Sequence, residues 1–206
     1  MKAQKTYFLA AGLFLLASGL AAQVHFAIGP RIGFNSATQL QLDYDDDVIS
    51  TDAIIGFTAA AVFELQLGKV YALQPEIGLT QKGFSYTFSG DIRYNYLELV
   101  LLNKFEFGGD VVKGFVGLGP SFGYLASGKV SDITIEYWDN YNRLEVGFVL
   151  SGGVEIKLGP GYLGIGPRFS IGLTDVINDS NFSDLQTALN ITGGLGVSYA
   201  FQIGGD

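Results

Sequence analysis

From Tyr96 to Phe107 the side chains alternate in character with a period of two. Leu97, Leu99, Leu101, Phe105 and Phe107 fall on one parity and Glu98, Lys104 and Glu106 on the other. Successive residues of a strand point to opposite faces, so this spacing predicts a long strand with one apolar face and one face carrying fixed charge. The run covers the roughly 9 to 11 residues that a tilted strand needs to cross a hydrocarbon layer.

The same alternation recurs over 24–36, 52–67, 70–82, 111–125, 143–158, 162–175 and 189–203. In the first of these Phe26, Ile28, Ile32 and Phe34 oppose His25, Gly29, Arg31 and Gly33; in the fifth Leu144, Val146, Phe148 and Leu150 oppose Glu145 and Ser151. The segments between them alternate in length. Residues 37–51, 83–92, 126–142 and 176–188 read as longer loops, whereas 68–69, 108–110 and 159–161 are glycine-bearing tight turns. Short turns on one rim and longer loops on the other are the layout of an outer-membrane barrel with an even strand number. Glycine and serine crowd the charged parity, as a narrow barrel interior requires. The pattern therefore predicts an all-β protein, an eight-stranded antiparallel up-and-down transmembrane β-barrel over residues 23–206. A soluble ligand-carrying barrel of the lipocalin type would turn its apolar parity inward. Strand length and glycine placement favour the membrane form.

The N-terminus reinforces that choice. Lys2 and Lys5 precede an apolar stretch at 7–20 and small residues leading to Ala22, so 1–22 reads as a signal peptide cleaved before Gln23. Beyond Ala22 no stretch is long and apolar enough to span as a helix, although mean hydropathy is +0.30. The expectation is a barrel in the outer membrane of a Gram-negative bacterium, both termini periplasmic, meeting outer-membrane lipid and the barrel-insertion machinery. A formal charge of -8, made more negative by loss of Lys2 and Lys5, disfavours nucleic acid as a partner. The chain has no cysteine, which excludes disulfides, thiolate metal sites and a cysteine nucleophile.

The chemistry that remains lies on the charged parity. Arg31, Glu64, Glu76, Lys82, Glu98, Lys104, Glu106, Glu145, Glu155, Lys157 and Arg168 are expected in the lumen. Eight strands leave an interior that side chains can fill, and buried charges need partners, so these residues predict a plug of ion pairs. A narrow polar conduit, a small porin, is the alternative, with Glu98 and Arg168 as the pair to test first. Asp43, Asp45 and Asp47 have the spacing of calcium-loop ligands, but Val48 and Ile54 replace the glycine and final glutamate such a loop needs, so the segment reads as a solvated acidic surface loop and no metal or cofactor is expected. Tyr137, Trp138 and Tyr141 form either a ligand-gripping surface patch or part of an interfacial girdle. The single histidine, His25, sits at the start of the first strand, away from the loops; without a base beside a hydroxyl nucleophile no enzyme is expected.

Several runs resemble a known family. YLELVLLNKFEF at 96–107 is similar to the "YLEIPLLLKY" signature of the PorT-like small outer-membrane beta-barrel proteins of Bacteroidota, with Val100 where the family has proline. FVGLGPSFGYL resembles the family's "AGP-x-x-GYL" strand, PRFSIGLTDV its "RYSxGLTNI" strand, and Asn190 opens a similar closing strand, which here continues as QIGGD after Phe201. The resemblance implies an outer-membrane barrel without assigned chemistry, or an accessory of type IX secretion. Three functions follow: a non-enzymatic envelope protein whose loops contact surface partners or solutes, a small porin, and a PorT-like secretion accessory.

Overall fold

The computed structural model describes residues 24–42, 47–86, 90–130, 133–134, 141–177 and 187–203. Eight long strands carry the fold: β1 (Val24–Leu42), β2 (Ile54–Leu67), β3 (Tyr71–Tyr86), β4 (Gly90–Gly108), β5 (Val112–Val130), β6 (Leu144–Leu158), β7 (Gly161–Gly172) and β8 (Thr187–Ile203). Each pairs antiparallel with its neighbours in the chain, and β1 pairs with β8, from Phe26 opposite Ile203 to Leu42 opposite Thr187. Closure leaves neither β1 nor β8 as a free edge, the condition for a sheet to sit in lipid.

The parity read from the sequence is the parity of the barrel wall. On β4, Leu97, Leu99, Phe105 and Phe107 are exposed, while Glu98, Lys104 and Glu106 are buried. The other strands repeat this, with Phe34, Phe57, Leu79, Val116, Phe148, Ile165 and Leu195 outward. The apolar residues thus form a continuous outer belt, and the interior is polar.

Glycine makes this wall possible at two kinds of place. Gly68 and Gly159 take positive φ, 86° and 60°, in the tight turns. Elsewhere it provides room beside the inward charges. Glu98 lies across from Gly78 and Gly123, Glu155 from Gly164, Arg168 from Gly194, and Lys104 from Ala72 and Gly117. A charged side chain reaches across the lumen because its lateral neighbours have little or no side chain of their own.

The loop rim differs from expectation. The predicted loop 37–51 begins as strand: β1 continues to Leu42, and Val48–Ile49 pairs back on Gln41 and Leu42. Within the predicted loop 83–92 every described residue is strand, since β3 runs to Tyr86 and β4 starts at Gly90. Similarly β5 passes residue 125 to reach Val130, with Ile133–Thr134 paired to its end, whereas β7 stops at Gly172, short of 175. In all three extensions, residues facing out are no longer uniformly apolar, yet alternation persists on the inside. Ala37, Gln39 and Gln41 all face inward and are buried.

Candidate functional site

The lumen is filled by three groups of charged side chains. Nearest the turn rim, the fully buried Lys104 Nζ donates to Glu64 Oε2 and Glu155 Oε1, both at 2.6 Å, and lies 2.9 Å from Glu106 Oε1. Lys113 Nζ donates to the other Glu106 oxygen at 2.9 Å. The carboxylate oxygens of Glu64, Glu106 and Glu155 lie within 4.8 Å of one another, a spacing that could hold a metal ion, but the Lys104 ammonium already contacts all three. Outside this group a cavity of about 510 Å³ opens at the turn rim, lined among others by His25, Glu64, Lys69, Glu106, Lys113 and Tyr162.

The middle group centres on Glu76. Arg168 grips it with both ends of its fork, Nη1 to Oε2 at 2.8 Å and Nη2 to Oε1 at 2.6 Å, and Gln74 Nε2 donates to Oε1 at 2.7 Å. Such bidentate pairs are among the strongest charge-assisted hydrogen bonds. Arg31 approaches the same carboxylate only to 4.0 Å.

In the third group, toward the loops, Lys82 Nζ donates to Glu98 Oε1 at 2.9 Å and to Glu145 Oε1. Thr80 donates to Glu98 Oε2 at 2.9 Å, and Asn190 Nδ2 to Glu145 Oε2. The chain of amides continues outward: Gln39 donates to Asn190 at 3.3 Å, Gln41 to Gln39 at 2.6 Å, and the Tyr86 hydroxyl to Gln41 at 2.6 Å. Every acidic group here has a donor, which is the condition for holding charge away from water.

Apolar residues separate and cap these groups. Val100 and Leu102, which stand between Glu98 and Lys104 on the inner face of β4, pack with Val149 inside the barrel. At the loop end Phe84, Tyr94, Tyr96, Leu125 and Val176 form a buried cluster, with Tyr86, Ile92 and Tyr141 packed against it. Tyr141 meets Tyr94 edge to face at 5.9 Å between ring centroids. Its segment is tied to the next loop by Asn142, whose N–H donates to Val176 O at 2.9 Å and whose side-chain amide donates to Asp175 O and Ile177 O, each at 3.0 Å.

Of the residues expected in the lumen, Arg31, Glu64, Glu76, Lys82, Glu98, Lys104, Glu106, Glu145, Glu155 and Arg168 are there and meet one another as described. One expectation is corrected: Lys157 is exposed, because it lies at the turn end of β6, one residue before the strand stops. Glu98 and Arg168, the pair to test first, line the same two small cavities but hold different partners, Glu98 pairing with Lys82 and Thr80 and Arg168 with Glu76. Tyr141 is half-buried in the mouth, packed against the aromatic cluster. Asp47 is exposed, while Asp43, Asp45, Tyr137 and Trp138, like the leader 1–22, lie outside the described residues. Sequence reasoning missed the inner apolar residues and the amide chain. Val100, Leu102 and Val149 share the parity of the charges and so were legible as inward; Gln39 and Gln41 were hidden in a segment read as loop.

A closed eight-stranded antiparallel wall, apolar outside and ionic within, defines the class of small outer-membrane β-barrels. The comparisons agree with the geometry. A family model described as "Outer membrane protein beta-barrel domain" matches residues 21–178, and the chain belongs to that family. Among solved structures it is similar to the outer membrane protein OprG from Pseudomonas aeruginosa, with a TM-score of 0.55 at 10% identity over 89% of this chain and 98% of that one. It is also similar to Neisserial surface protein A, with a TM-score of 0.50 at 11% identity over 84% of this chain and 95% of that one. At such identities the likeness concerns the fold alone. No curated protein matches the sequence.

Proposed function

We propose that this is a non-enzymatic outer-membrane protein whose lumen is a structural plug and whose loop rim carries its contacts with surface partners or solutes. The observation that supports this most strongly is the succession across the lumen: ion pairs around Lys104, the Val100–Leu102–Val149 packing, ion pairs around Glu76 and Lys82, then the aromatic cluster. Two cavities between the groups, among the described residues, measure about 30 and 10 Å³, on the order of single water molecules. In this reading the turn rim, with Val24 and Ile203, faces the periplasm, residues 1–22 serve as the export signal, and the strand extensions stand above the outer surface. The succession of motifs in the sequence favours the PorT-like group of Bacteroidota.

Planar-bilayer recording of the purified protein tests the plug. A silent bilayer is expected; steady single-channel conductance that Lys82→Gln or Arg168→Gln alters would replace this reading with that of a small porin. A deletion strain that stops exporting type IX cargo would instead make the barrel a secretion accessory.

A further inference from the structure

We propose that the mid-lumen cavity between Arg31 and Arg168 is a binding site for a small monovalent anion of the halide class. Two guanidiniums, Arg31 and Arg168, and two carboxylates, Glu76 and Glu98, meet around it. Arg168 uses both of its terminal nitrogens on Glu76, so Glu76 has little left for Arg31, whose Nη1 stays at 4.0 Å, outside hydrogen-bond reach. Arg31 is nevertheless largely buried, with a side-chain exposure of 9%, and its guanidinium borders the cavity, with no acceptor within hydrogen-bond reach among the described residues. The second carboxylate on the cavity, Glu98, does not fill the gap, because Lys82 holds one of its oxygens and Thr80 the other. Arg168 adds a further donor, its buried Nε, which has no protein partner among the described residues.

The rest of the lining matches this surplus of donors. Arg31, Arg168, Thr58, Ser170 and Thr192 all border a cavity of about 30 Å³, and an adjoining one of about 10 Å³ shares Thr58, Thr80, Glu98 and Arg168. The larger of these spaces suits one or two waters, or a single chloride or bromide ion, each somewhat larger than one water molecule. Gly196 makes room for the site from the opposite strand, since a Cβ there would stand 2.6 Å from Arg31 Nη2. The buried Arg168 Nε without an acceptor is costly, and an anion in the cavity removes that cost by accepting from it together with the Arg31 guanidinium and the hydroxyls that border the same space. Asn35 Oδ1, an acceptor without a protein donor among the described residues, borders the same cavity and suits a water accompanying the ion. The site does not depend on whether the lumen conducts, because it is built from side chains within the wall of the plug.

The test uses the folded protein in detergent. Crystals soaked in sodium bromide should show an anomalous peak against the Arg31 guanidinium; bromide found only on the outer surface, with nothing beside Arg31, overturns the proposal. In solution, exchanging gluconate for chloride at fixed ionic strength should raise the midpoint of thermal unfolding in a saturable way, and Arg31→Gln should abolish that rise. Equal midpoints in both salts overturn it as well. Should Arg31→Gln fail to fold, Thr192→Val keeps the charge and removes one hydroxyl, and it should raise the chloride concentration for half-maximal effect several-fold; an unchanged value counts against the site.

Discussion

Replacing Lys104 by methionine puts the lumen account under the greatest load. The side chain is fully buried, and its ammonium lies 2.6 to 2.9 Å from three carboxylates, those of Glu64, Glu106 and Glu155. Methionine keeps most of the volume, so the change removes charge with little cavity. What is left is three carboxylates whose oxygens lie within 4.8 Å of one another, offset by Lys113 alone. Removing one partner of a buried ion pair costs about 3–5 kcal/mol, because the other charge stays buried without compensation. Three such charges put Lys104→Met at the upper part of that range, and their partial contact with the turn-rim cavity brings it down again, so about 4 kcal/mol is expected. Lys113→Met should cost about 1 kcal/mol or less, since that side chain is 21% exposed and meets a single carboxylate. The assay is urea unfolding of the barrel in thin-bilayer vesicles, followed by far-ultraviolet circular dichroism. Adding Glu64→Gln and Glu155→Gln to Lys104→Met leaves Glu106 with Lys113, a balanced pair, and should restore more than half of the loss. If Lys104→Met lies within 1 kcal/mol of the parent, or the added substitutions make it worse, the carboxylates are not held by Lys104 and the reasoning fails.

Three further outcomes are expected. Leu99→Arg places a charge on the outer face of β4 and should destabilise the inserted barrel by about 2–4 kcal/mol near the bilayer midplane, against a much smaller effect for Leu144→Arg at the loop end; equal effects would contradict the position of the apolar belt. Gly119→Ala would put a Cβ 1.9 Å from the Leu101 carbonyl oxygen, so unfolding should begin at lower urea by the equivalent of about 1–3 kcal/mol. Tyr141→Ala removes a ring that meets Tyr94 edge to face, worth about 1 kcal/mol, and limited proteolysis at the loop rim should quicken while the barrel stays folded.

Much of this molecule was legible from parity alone. The alternation in 96–107 placed Leu97 and Leu99 outside and Glu98 and Lys104 inside because a strand offers only two directions, and a long wall in lipid penalises every exception. The same rule failed where that penalty ends. Gln39 and Gln41 alternate with the outward Leu40 and Leu42, but the acidic run that follows led the whole segment to read as loop, whereas beside Tyr86 the outward residues Gly83 and Ser85 carry no apolar signal. Partner choice was less legible still. Glu98 and Arg168 both lie well inside their strands, but which cation meets which carboxylate depends on the stagger of the staves and on the glycines beside them. That stagger gives Glu76 to Arg168 and Glu98 to Lys82. The inner Val100 and Leu102 were overlooked because apolar side chains on β4 were expected on its lipid face, although their even numbers match those of Glu98 and Lys104.

The chain contains no cysteine, so single cysteines introduced one at a time from Leu97 to Leu102 report only on themselves. Spin-labelled in lipid vesicles, positions 97, 99 and 101 should be accessible to oxygen dissolved in the acyl chains, and 98, 100 and 102 shielded from it. The opposite phase, or no alternation, would contradict a wall that is oily outside and ionic within.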